Sequence, residues 1–368
     1  MGSWLSSGPT GLISGAVVGL VFGVLFEDPL KKLLRNGVRR LSRMISGPAE
    51  PPDLDREFRL GPLHTRCLIL EGDGERIFEQ ERVRVFVNPV DVQLPDEMMR
   101  WRTEIADEQE RRSSAGEESA WNGSMYAVDD LIISRNGPRE DPEVRLILKH
   151  ADYYTFLATQ RLDRRLQGGA TPRSLYLDGR EPSQMPDFMR SSFGLNIAVV
   201  TADNWLMVSR RSRRMATGRD MWAPSVNESL SRDKDSVEGG PPDLFQAARR
   251  GMQEELHIGD DQYDLRLLAF HVATSLSQWG AMFLARLCTT TRGDLEAHLS
   301  RGIEDGWEHQ AIDYVRFEPA STLRYLLRPD RRDNWTPAAP GLYYLALVNT
   351  YGRRQVDAAL DGVIRDLS

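Results

Sequence analysis

The chain is 368 residues long, 40% hydrophobic and 27% charged, with a formal net charge of -7. Those values exclude a collagen-like, low-complexity or wholly disordered chain and a polytopic membrane protein. The length suits one large or two modest domains. Two cysteines, Cys67 and Cys288, are too few for a disulfide framework and lack metal-ligand spacing, which points to a reducing compartment.

The average conceals segregation. Residues 1–26 hold no charged side chain, and the run LISGAVVGLVFGVLF from Leu12 to Phe26, extended by Gly8 to Gly11, approaches the ~20 residues that span a bilayer. Lys31, Lys32, Arg35, Arg39, Arg40 and Arg43 follow it directly. A basic flank on that side predicts a single-pass anchor in the cell membrane with the C-terminal body in the cytoplasm. Gly11, Gly15, Gly19 and Gly23 recur every four residues, so a helix would carry them as one stripe suited to self-association. Over 27–47, Leu30, Leu33, Leu34, Val38 and Leu41 alternate with the basic residues at helical spacing. That pattern predicts an amphipathic juxtamembrane helix against anionic lipid of the inner leaflet. Pro48, Pro51 and Pro52 close this module as a stiff linker.

Residues 55–190 read as a mixed α+β extension. The alternation of Arg82 to Val87 predicts a strand, as do Tyr126 to Ser134 and Val144 to Leu148. Glu104 to Glu118 is acidic and poor in large apolar residues, which fits a loop or a solvated helix, and Asp152 to Leu166 looks helical. No repeat and no catalytic signature falls here.

The chemistry concentrates after Leu195. Asn196 to Thr201 is an apolar, β-branched strand, Ala202-Asp203-Asn204 a turn, and Trp205 to Ser209 a second strand. Arg210, Arg211, Arg213 and Arg214 follow, then Gly218 and Trp222. Beyond an acidic insertion, Asp243 and Gln246 have N-cap spacing for a helix that runs to Leu256, with Gly259 as its expected stop. On that helix Leu244, Ala248, Met252 and Leu256 share an apolar face, while Arg250 and Glu254 lie one turn apart and can pair. Residues 331–368 form a C-terminal helical segment.

Strand, turn, strand, arginine-rich tip, tryptophan, acidic loop and then ARRGMQEELHI resembles the Nudix hydrolase superfamily over about residues 191–330. The family's box has a glycine, an upstream glutamate, Arg-Glu, an aliphatic, one residue, Glu-Glu, one residue, a glycine and an aliphatic. Arg250, Met252, Glu254, Glu255 and Ile258 fall in register with it. The chain departs from the box at Gly251, where the family has a glutamate, at His257 in place of the box glycine, and at Pro242 in place of the upstream glutamate. Glu228, Asp233, Asp235 and Glu238 in the insertion are possible substitute acids.

The resemblance implies an α/β chain with an α/β/α sandwich, bound Mg²⁺ or Mn²⁺, and hydrolysis of a nucleotide-like diphosphate. On that reading Glu254, Glu255 and Glu228 are the metal ligands, and Glu254, Glu255 and Arg250 the catalytic set. Arg211, Arg214 and Trp222 then hold the substrate. Hard divalent cations with oxygen ligands suit such chemistry. The departures leave a second reading open, a Nudix-fold sensor or scaffold at the membrane that binds without hydrolysis. No basic face backs the clustered arginines, so nucleic acid is not an expected partner.

Overall fold

The computed structural model describes residues 56–136, 141–212, 218–236, 239–300 and 309–367. The expected span at 1–26, the glycine stripe, the basic helix at 27–47 and Arg214 lie outside the described residues. Among the described residues no helix is long and apolar enough to cross a membrane.

The first part of the chain forms strands β1 (Arg59–Leu60), β2 (Leu63–His64), β3 (Cys67–Glu71) and β4 (Val83–Asp91), then helix α1 (Asp96–Ser114). Strands β5 (Ser124–Asn136) and β6 (Asp141–Asp152) and helix α2 (Tyr153–Thr159) follow. The middle holds β7 (Phe193–Val200), β8 (Trp205–Arg211), β9 (Trp222–Ala223), β10 (Val226–Ser229), α3 (Arg232–Asp235) and α4 (Leu244–Leu256). The last part comprises β11 (Tyr263–Ala273), β12 (Gln278–Leu287), α5 (Arg292–Leu299), β13 (His309–Arg316), α6 (Pro319–Leu326), α7 (Ala339–Tyr351) and α8 (Arg353–Leu367). The expected α/β class is what the chain adopts.

An eight-stranded mixed sheet is the centre, in the order β13-β8-β7-β12-β11-β3, with β10 on β7 and β9 on β8. Strand β7 pairs parallel with β12 and is buried on both faces, which is why it reads as an almost unbroken apolar run. Its Leu195, Ile197 and Val199 face one core with α4, and its Ala198 and Val200 face another with α6, α7 and α8. Helix α7 has no polar side because Ala339 to Val348 are all buried. A second sheet, β4-β6-β5, packs Val128, Val144, Leu146 and Leu148 into the core that α4 shares.

The strand expected at Arg82 to Val87 runs from Val83 to Asp91, and the acidic stretch Glu104 to Glu118 is helical as far as Ser114, in α1, which buries only Met98, Trp101 and Ile105. The helical reading of Asp152 to Leu166 shortens to Tyr153–Thr159, with Asp152 as its cap through the Thr155 amide. Strand β3, from the stretch read as an extension, is hydrogen-bonded to β11 and belongs to the central sheet. In β7 one edge is divided, with Gly194 to Ile197 pairing β10 and only Val199 and Val200 pairing β8. That fork places β10 beside α4.

Candidate functional site

Helix α4 starts where expected. The Asp243 carboxylate accepts from the amides of Phe245 and Gln246, at 2.8 and 3.3 Å, satisfying two of the orphan donors of the first turn. Its end differs from the expected stop at Gly259. His257 takes the left-handed conformation (φ 53°) and closes the helix one residue after Leu256, a conformation histidine tolerates better than most side chains.

Arg250 projects from α4 into a ring of carboxylates. Its Nε and Nη2 donate to Asp235 at 2.8 and 2.9 Å, and its Nη1 lies 2.8 Å from Glu228 and 3.0 Å from Glu254. Nη2 also donates to the Ser229 carbonyl at 3.2 Å. Asp235 is held in place by the Ser231 amide at 2.7 Å, and Glu254 takes a second ion pair from Lys234 at 3.0 Å. Burial alone would lower the Arg250 pKa, but Asp235, Glu228 and Glu254 together raise it, so the guanidinium is permanently charged. Burial pushes the Glu228 carboxyl above its usual range, against the pull of Arg250.

Gly251 explains how Glu228 comes so close. A Cβ at 251 would stand 3.1 Å from Glu228 Cβ and 3.3 Å from Val226 Cγ1. The strand therefore packs on the helix backbone at this point, and the Glu228 stem fills the space where a side chain at 251 would begin. Glu255 follows Glu254 on α4. It is buried, and its carboxylate accepts from the Asn227 amide at 3.1 Å, tying α4 to β10.

Beside β10 lies a cleft of about 510 Å³, lined by Asn196, Asn227, Glu228, His271, Trp279 and Arg211 among others. Antiparallel pairing sets Asn227 directly opposite Asn196, so both side chains leave the same face of the sheet. The Asn196 amide nitrogen lies 2.9 Å from His271 Nε2, and Cys67 Sγ lies 3.8 Å from His271 Nδ1. His271 reaches Asn196 across β12 because the residue between them is Gly280, where a Cβ would stand 2.9 Å from His271 Nε2 and collide with the Gly194 carbonyl. Burial pushes the His271 pKa down to about 4, so the imidazole is neutral. The Cys67 thiol, pushed up by burial and by Glu57, stays protonated.

The structure thus gathers Arg250, Glu254 and Glu228, brings Glu255 beside them in a different role, and puts Arg211 on the cleft. Trp222 does not line the cleft. It is 8% exposed, packed against Trp335 and Tyr325 with the Arg331 guanidinium 4.1 Å from its ring centroid. Among the described residues no group of three or more His, Cys, Asp or Glu is arranged to hold a metal ion. Asn196, His271 and Gly280 do not stand out as a set in the sequence. Glycine inside two paired strands, at 194 and 280, was the available signal, since it marks close approach of another group.

No family model matches the chain, and no curated protein matches it. Among solved structures it is similar to DR0079 from Deinococcus radiodurans, at 18% identity and a TM-score of 0.25. That likeness covers 34% of this chain and 66% of the other, so the chain spans just under two thirds of that structure's length.

Proposed function

We propose that this chain is a membrane-tethered, Nudix-type α/β/α domain that binds a nucleotide-like diphosphate and does not hydrolyse it through its box. The observation that carries the reading is the Arg250 guanidinium at the convergence of Glu228, Asp235 and Glu254. A divalent cation needs those oxygens for itself, and here a fixed positive charge already takes them, while Glu255 is spent on the Asn227 amide. The donor set does not fit Mg²⁺ or Mn²⁺. The ligand belongs in the 510 Å³ cleft, where Arg211 supplies a cation for phosphate oxygens and Trp279, Tyr153 and Phe156 supply flat apolar walls. The tether rests on the apolar run at 12–26 and the basic residues behind it.

The full chain in detergent micelles, heated with and without a panel of nucleoside diphosphates, tests this. A ligand present at a hundredfold its Kd adds about 2.7 kcal/mol of stability, with no phosphate or mononucleotide released in Mg²⁺ or Mn²⁺. Turnover that disappears in Glu254→Gln would overturn the reading. Resistance of the chain to alkaline extraction from membranes tests the tether.

A further inference from the structure

We infer that Asn196 and Asn227 form a paired acceptor site that selects a ligand edge bearing two neighbouring N–H donors, of the kind a guanine base presents. The inference deepens the proposed function and rests on it. The two residues are cross-strand partners on β7 and β10 and both line the cleft. Each amide has its nitrogen end turned to the protein: Asn196 Nδ2 to His271 Nε2 at 2.9 Å, and Asn227 Nδ2 to the Pro224 carbonyl at 3.3 Å. Among the described residues no protein group engages either carbonyl oxygen, and neither oxygen is buried without a partner. Two acceptors side by side are therefore left for whatever occupies the cleft.

His271 acts here as a positioning residue. A neutral imidazole has one protonated nitrogen and one acceptor. The inference requires the tautomer in which Nε2 accepts from the Asn196 amide and the ring proton is on Nδ1, towards the Cys67 sulfur 3.8 Å away. With one N–H tied in this way the amide is held against flipping, so Asn196 keeps its carbonyl oxygen towards the ligand. Asn227 is fixed independently, through its backbone amide on Glu255 and its side chain on Pro224. The stacked pair Tyr153 and Phe156, with ring centroids 6.0 Å apart, also lines the cleft and offers a planar ring a wall.

Calorimetric titration of the full chain in lipid nanodiscs with GDP, IDP, ADP and UDP tests the inference. IDP keeps the N1–H of GDP and lacks its 2-amino group, so it should bind about tenfold more weakly, the worth of one hydrogen bond whose partner oxygen is left unmet. ADP and UDP should be weaker still. With Asn196 accepting from the 2-amino group and Asn227 from N1–H, Asn196→Leu should erase the GDP preference over IDP while leaving binding through the diphosphate. His271→Leu, which frees the Asn196 amide to rotate, should erase it too, and His271→Gln, which can still accept from the amide, should retain it. Equal affinity for GDP and IDP, or a preference that survives Asn196→Leu, overturns the inference and leaves the proposed function standing. Failure of all four nucleotides to bind overturns both.

Discussion

Glu228 and Asn227 are neighbours on one four-residue strand and both line the cleft, yet their polar atoms are in opposite conditions. On the helix side, Glu228, Asp235, Glu254 and Arg250 engage one another, and Glu228 is packed against the backbone of Gly251. On the cleft side, Asn227 and Asn196 are held by their nitrogens and present oxygens that nothing described in the protein engages. A cluster that satisfies itself holds two elements together, whereas neutral amides with hydrogen-bonding capacity left over are suited to recognition. The charged motif is thus the framework, and the proposed recognition falls to the uncharged residues beside it.

The contrast can be broken from the helix side first. Arg250→Ala removes the counter-charge from three carboxylates while the arginine itself is only 14% exposed, and loss of one partner from a buried cluster costs about 3–5 kcal/mol. Urea denaturation should show that loss, and a midpoint within error of wild type would mean the cluster is not structural. The cleft side answers to acid. His271 stays neutral in the fold down to about pH 4, while in the unfolded chain it takes its proton near 6.5. Its contribution is complete above pH 6.5 and is lost as pH falls towards 4, an interval worth about 3 kcal/mol. Melting curves across that range should be flatter for His271→Gln than for wild type; identical slopes would remove the ring from the account.

Gly280→Ala places a methyl group against the Gly194 carbonyl and His271 Nε2, and overpacking of this kind costs roughly 1–3 kcal/mol. It should also displace the imidazole, so that thermal stability and nucleotide affinity fall together. The smallest effect belongs to Lys234, whose side chain is 51% exposed where it meets Glu254. Lys234→Ala should cost about 0.2–1 kcal/mol or less, and a larger loss in chemical denaturation would show that the cluster needs its second cation.

Much of this framework is legible from residue order alone. The apolar alternation of Val83 to Val87, the run from Asn196 to Val200, and the Asp243 cap with its helix all form where the pattern places them. Local signals suffice there because each element is specified by residues within one or two turns of itself. The site is different. Gly251 looks like a defect in a helix until Glu228, more than twenty residues earlier, is packed against it. Asn196 and Asn227 become a pair only through the register of β7 on β10, which an intervening hairpin and loop separate in sequence. Trp222 follows an arginine-rich turn, as a ligand-facing ring might be expected to, but the aromatic cluster of Tyr325, Trp335 and Tyr343 supplied by the C-terminal segment draws it into the core. Each of these facts depends on a partner that no local window contains.

The pairing of Cys67–Glu71 with Tyr263–Ala273 has a consequence for how the protein is made. About two hundred residues separate those strands, and closing so long a loop is entropically costly and slow. A ribosome must therefore deliver β11 before β3 can find its place, and all that lies between them waits with an unfinished sheet edge. Synthesis order sets a vulnerable period in which β3 is exposed to wrong partners. A chain cut short before residue 263 would retain that exposed strand permanently, and its fate would be decided by chaperones and proteases rather than by any ligand.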